Sequence, residues 1–146
     1  LIYVDADSCP VTDEVIDLAS KQDLPVTLVK SYAHFSLKPL SEHVDVVYVD
    51  QEKEASDYRI MRLIKPNDVL ITADYGLASL ALAKTPHIIH PRGTLYKKET
   101  MDQLLQSRYL SSQVRKAGGR MKGPKAFTDS DRTQFIDQFN RLLNRL

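Results

Sequence analysis

Four aspartates stand where carboxylates can act together: Asp5 and Asp7 at the end of an apolar run, Asp74 just after Ile71-Thr72-Ala73, and Asp57 at the start of an amphipathic stretch. Two carboxylates about 4 Å apart repel by roughly 4 kcal/mol at an effective dielectric near 20. A protein relieves that repulsion by protonating one of them, by adding a base or by adding a cation. Mg2+ and Mn2+ choose carboxylate and water oxygens, and one or two such ions polarise a phosphate and activate water for in-line attack. The expected chemistry is therefore phosphodiester cleavage, with Asp5, Asp7, Asp57 and Asp74 as catalytic and metal-holding residues and Mg2+ or Mn2+ as cofactor. Each aspartate also has a plain structural use as a cap at a strand end or helix start. It is their coincidence that argues for one shared site.

Such a site needs elements that bring the four together. Leu1-Ile2-Tyr3-Val4, Val26-Thr27-Leu28-Val29, Val44 to Val49, Val69-Leu70-Ile71-Thr72 and His87-Ile88-Ile89-His90 are short apolar runs of the kind that form strands buried on both faces. Helical stretches alternate with them. The first opens at Pro10, with Ser8 or Cys9 as cap and Val11, Val15, Leu18 and Ala19 facing in; the next two span Glu54 to Ile64 and Gly76 to Ala83. Residues 30–43 carry Pro39 and read as irregular. The alternation is that of βαβ units and predicts an α/β fold. Three layers are expected, with a mostly parallel five-stranded sheet and helices on both faces. In the doubly wound strand order 3-2-1-4-5, the first and fourth strands are neighbours, so Asp5 and Asp74 would meet at the carboxyl edge where ligands bind. If extended backbone continues past Asp5, Asp7 faces the same side. Asp57 continues the stripe of Ile60, Met61 and Ile64 at offsets of three, four and seven, so it points along the core face and needs a partner.

After Pro91 the character changes. A C-terminal helical extension is expected over residues 98–146. Its first helix spans Lys98 to Ser112, with Met101, Leu104, Leu105 and Leu110 facing in. Residues 115–125 hold five bases, no acids and three glycines, and read as a loop in which Arg120 and Lys122 could grip a polyanion. Little aromatic interleaving accompanies those bases. Thr128 caps a last helix with the apolar stripe Phe135, Ile136, Phe139, Leu142, Leu143 and Leu146, which could pack on its own domain or pair with a second subunit as a homodimer.

Around the aspartates, Arg92 follows the fifth strand and could clamp a phosphate. Ser8, Thr72 and Lys30 are further substrate-binding candidates. Cys9, the one cysteine, reads as a small positioning side chain rather than a nucleophile, and no histidine pair has a metal-ligand spacing. A chain of 146 residues with 42% hydrophobic and 27% charged residues fits one domain over residues 1–146. With no internal disulfide, no apolar run long enough for a bilayer and no leader-like start, it reads as cytoplasmic and not membrane-bound. It opens without Met, which reads as loss of an initiator residue. Net charge is +1, yet residues 1–57 hold 12 acids against 4 bases and residues 58–146 hold 7 against 16. That polarity suits an acidic centre with a basic periphery.

The segments Val4-Asp5-Ala6-Asp7-Ser8-Cys9-Pro10-Val11 and Asp68-Val69-Leu70-Ile71-Thr72-Ala73-Asp74, with His90-Pro91-Arg92-Gly93 and Gly123-Pro124, resemble the YaiI/YqxD family of bacterial proteins over nearly the whole chain. That family is similar to PIN-like and NYN-type domains, metal-dependent ribonucleases with acidic clusters on a parallel sheet. The resemblance implies a PIN-like domain, a nuclease acting on RNA or another phosphodiester, and roles for Asp5, Asp57 and Asp74 with Asp7 beside them. It is a fold-level analogy. A strand ending in Asp-x-Asp also marks haloacid-dehalogenase-type phosphatases, with Asp5 as nucleophile and Asp7 as general acid. Their usual Thr or Val two positions on is Cys9 here, and no cap domain is evident. A non-catalytic module holding RNA or a nucleotide is the third reading.

Overall fold

The computed structural model describes residues 1–36, 40–52, 54–103, 106, 110 and 126–146. Five strands, β1 (Ile2–Asp5), β2 (Val26–Ser31), β3 (Val44–Val49), β4 (Val69–Ile71) and β5 (Ile88–Ile89), form one sheet in the order β3-β2-β1-β4-β5. Every pairing in it is parallel. The helices are α1 (Thr12–Lys21), α2 (Ala55–Leu63), α3 (Tyr75–Ala81) and α4 (Asp129–Asn144). Residues 98–103 are also helical. The expected helix over 98–112 is described only in part. Met101 is buried at 4% exposure, Leu110 is 56% exposed and does not face in, and Leu104 and Leu105 lie outside the described residues. So does the basic stretch 115–125, with Arg120 and Lys122.

Period-two alternation sorts the strand residues onto two faces. Val4, Leu28 and Ile71 pack with Val15 and Ala19 of α1 and with Phe135, Phe139, Leu142 and Leu143 of α4. Tyr3, Val29 and Leu70 pack with Ile60 of α2 and Leu77 and Ala78 of α3. Phe135, Phe139, Leu142 and Leu143 of the expected stripe are thus covered by the chain's own sheet, whereas Leu146 lies past the helix end and is 53% exposed. Its Phe135 and Phe139 rings stack at 5.2 Å, and a capping box between Thr128 and Asp131 holds its start. Gly93, at φ +97°, lets the turn after β5 press against α4, because a Cβ there would lie 2.9 Å from backbone atoms of Gln134 and Phe135.

Three local expectations change. Extended backbone does not continue past Asp5: residues Ala6–Ser8 form a single 3-10 turn, so Asp7 arrives by a tight turn rather than by strand alternation. Helix α1 opens at Thr12 and not at Pro10, and neither Ser8 nor Cys9 caps it; the Thr12 hydroxyl donates to the Cys9 carbonyl at 3.2 Å. Strand β2 runs on to Ser31, followed by a second 3-10 turn at Tyr32–His34, so part of the 30–43 segment is regular. No described helix is long and apolar enough to cross a membrane.

Candidate functional site

Strands β1, β2 and β3 step outward in one direction, and the chain then returns to place β4 on the other side of β1. The carboxyl edge between β1 and β4 is therefore the topological switch point, where the two crossovers diverge and leave a crevice. Asp5 ends β1 and Asp74 caps α3 immediately beyond β4, so both open into it. Asp57, in the first turn of α2, reaches the same crevice because Ile60 of that helix is buried beneath it. Asp5, Asp7, Asp57 and Asp74 all line this hollow of about 880 Å3.

The carboxylates are held differently. Asp5 is buried at 8% exposure and accepts the Thr72 hydroxyl proton at 3.0 Å. The Thr72 oxygen in turn accepts the Asp74 backbone N–H at 3.0 Å, tying the ends of β1 and β4 together. Burial raises the Asp5 pKa, opposed by the Thr72 bond and reinforced by Asp74 and Asp7. Asp74 accepts the Leu77 N–H at 3.1 Å, the helix-capping bond expected of it. Asp57 is the most perturbed. Desolvation, the charges of Asp74 and Asp5, a side-chain hydrogen bond with Asp74 and the charge of Glu54 push its pKa up to about 6. That side-chain hydrogen bond needs a proton on one of the two carboxyl groups, and Asp57, whose pKa is raised, takes it up as pH falls through about 6.

Asp7 stands at the margin. Its two oxygens accept the Ser31 backbone N–H at 3.0 and 3.1 Å, and His34 Nδ1 lies 2.9 Å away. It braces the 3-10 turn after β1 on the end of β2. Thr72 is fully buried, so it orients Asp5 from below rather than lining the crevice. Ser8 and Arg92 line an adjoining hollow of about 530 Å3 that shares Asp74 with the first. There Arg92 pairs with Asp131 at 3.0 Å and lies over the Phe127 ring, while its backbone N–H donates to His90 Nδ1 at 2.9 Å. Lys30 is not brought to the acids. Because β2 extends past it, Lys30 is an interior strand residue on the Leu28 face, beside Thr12 and Ile16 of α1. Burial raises the Cys9 thiol pKa, which disfavours a thiolate.

Sequence reasoning missed Glu52 and Glu54, which also line the crevice. Glu54 sits at φ +73°, a left-handed conformation uncommon for a residue with a Cβ, and its charge adds to that felt by Asp57. It also missed His34, whose link to Asp7 depends on a turn that composition does not announce. Among the described residues, no three His, Cys, Asp or Glu side chains stand together closely enough to cage an ion. The donor set nonetheless suits Mg2+ or Mn2+: all oxygen, with two carboxylates in mutual contact. Mg2+ keeps several waters and uses one or two carboxylates plus substrate phosphates rather than an all-protein cage.

Residues 3–145 match the family described as "Uncharacterized BCR, YaiI/YqxD family". A UPF0178 protein of Oceanobacillus iheyensis is 50% identical over 144 residues, covering 99% of each chain. UPF0178 proteins of Bacillus cereus and of Bacillus thuringiensis subsp. konkukian are each 51% identical over 142 residues, covering 97% of both chains. No solved structure matches the chain.

Proposed function

The chain belongs to the YaiI/YqxD family, and on that footing we propose that the crevice is a divalent-metal site for hydrolysis of phosphodiesters, RNA among them. One observation carries the reading: in the crevice, burial of Asp57 together with the nearby charges of Asp74 and Asp5 pushes its pKa up to about 6. A purely capping role would not require that crowding, and a divalent cation would relieve it. Asp57 and Asp74 would hold Mg2+ or Mn2+, with Asp5 beside them. Such an ion, when bound, polarises phosphoryl oxygens and lowers the pKa of water. The chain's own residues prepare that site. Thr72 fixes the Asp5 carboxylate, Asp7 locks the turn that follows it, and the cap of α3 fixes Asp74. Arg92 and the basic stretch containing Arg120 and Lys122 supply positive charge for the polyanion.

The phosphatase alternative needs an accessible Asp5 and an Asp7 ready to donate a proton. Here Asp5 is 8% exposed, and both Asp7 oxygens accept a backbone N–H. That favours the metal site. A pure binding module would hold nucleic acid without hydrolysing it, whether or not Mn2+ is present.

Calorimetric titration of the metal-stripped protein with Mn2+ tests the proposal, alongside hydrolysis of bis(p-nitrophenyl) phosphate and of an unstructured RNA oligonucleotide. Mn2+ binding lost in Asp57→Asn and Asp74→Asn, with hydrolysis abolished in a folded Asp5→Asn variant, is the expected result. Wild-type hydrolysis by Asp5→Asn would sink it.

A further inference from the structure

A second feature flanks the crevice on the β3 side. Tyr32 and Phe35 are each 57% exposed and Tyr58 is 67% exposed, an unusual outlay of ring surface to water within one region. The rings are ordered against one another. Tyr48, on β3, stacks on Tyr32 at 5.7 Å and 17° and meets Phe35 at 5.1 Å, while its hydroxyl is held by the Ser36 backbone. On α2, the Arg62 guanidinium lies 5.8 Å over the Tyr58 ring. Tyr32, Tyr48, Tyr58, Arg59 and Arg62 line one hollow of about 560 Å3, and that hollow shares Glu52, Glu54 and Tyr58 with the acidic crevice. Tyr58 lines both hollows and so joins the rings and guanidinium groups to the acidic crevice, while Phe35 reaches them through its contact with Tyr48.

We propose that Tyr32, Tyr48, Phe35 and Tyr58, with Arg59 and Arg62, form a binding platform for the unpaired bases of single-stranded nucleic acid, beside the acidic crevice. Unstacked bases offer π faces that aromatic and guanidinium planes accept whatever the sequence, whereas a duplex keeps its faces covered. The rim also carries Asp50, Glu52 and Glu54, which repel phosphates. Ring contact rather than backbone charge is therefore the source of affinity on the acidic side, and the arginines serve the other. The proposal names the substrate class of the crevice and rests on that reading only for what happens to the strand once bound.

Fluorescence anisotropy of a labelled unstructured oligonucleotide, in EDTA, tests it without metal. The ribose and deoxyribose strands are compared, with their duplex and with an abasic strand of equal length. Single strands of one or both sugars should bind, and duplex and abasic strands should bind at least tenfold more weakly. Each ring removed from contact should weaken binding roughly 5- to 150-fold, read in Tyr58→Ala and in Tyr32→Ala/Phe35→Ala. Arg141→Ala, on α4, should leave it unchanged. These rings are exposed, so the variants should keep the wild-type circular dichroism spectrum. Equal binding of abasic and base-bearing strands, or unaltered binding in both ring variants, overturns the platform. So does a dimer in sedimentation that Tyr32→Ala/Phe35→Ala disperses, since the rings would then serve a second copy. Mn2+ binding without base-dependent strand binding removes the platform and leaves the metal site. Base-dependent binding without Mn2+ binding does the reverse.

Discussion

Asp57→Asn should make the protein more stable while removing its proposed function. The folded pKa is about 6 against an ordinary value of 3.8, a difference of roughly two units. At about 1.4 kcal/mol per unit, ionising Asp57 in the fold costs on the order of 3 kcal/mol, an upper figure because the side chain is only partly buried and solvent screens it. The sign follows from proton counting. Between pH 4 and 6 the folded chain binds more protons at this site than the unfolded chain, so stability falls as pH rises through that window. Asparagine is uncharged at every pH and can still donate to Asp74. Wild type and variant should therefore be nearly equally stable at pH 4. Above pH 7 the variant should lead by about 1–3 kcal/mol, which for a chain of this size raises the melting temperature by roughly 3–10 °C. Chemical denaturation at pH 4, 5, 6 and 7.5 measures this directly. Mn2+ at about a hundred times its dissociation constant should then stabilise the wild type by about 2.7 kcal/mol and the variant by little. A variant that is less stable than wild type at pH 7.5, or a gap that does not change with pH, would refute the crowded-carboxylate argument.

Other perturbations probe the supports of the site. Thr72→Val removes the hydroxyl that donates to Asp5 and accepts the Asp74 N–H, so denaturation should reveal a loss of about 1–3 kcal/mol and calorimetry a weaker Mn2+ affinity. Gly93→Ala forces a Cβ to within 2.9 Å of the α4 backbone at a positive φ, and should cost about 2 kcal/mol or more in urea denaturation. Phe139→Ala, at a fully buried position in the α1–α4 layer, should cost about 3–5 kcal/mol by the same measurement.

Much of this protein is legible from local pattern. Short apolar runs separated by amphipathic stretches specify a parallel sheet covered on both faces, because only strands buried on both sides dispense with polar alternation. Asp5 and Asp74 could be assigned to the carboxyl edge on that basis, and strand order then makes them neighbours. Asp57 was visible as a carboxylate continuing the stripe of buried Ile60. Boundaries were less legible, and they mattered. Ending β2 at Val29 would leave Lys30 free to turn toward the acids, but two further residues of pairing with β3 commit it to the opposite face.

What the sequence by itself determined is the kind of fold and the acidic residues at its carboxyl edge, since hydrophobic period and residue identity are local properties. What only the tertiary structure decided is which carboxylates meet and how each is held. The contact between Asp57 and Asp74, the Thr72 bridge beneath Asp5, the diversion of Asp7 to Ser31 and His34, and the ring ladder beside the crevice all join residues brought together by crossovers and helix packing. Packing sets those distances to within an ångström, and carboxylate repulsion, proton sharing and ring stacking all change over that length.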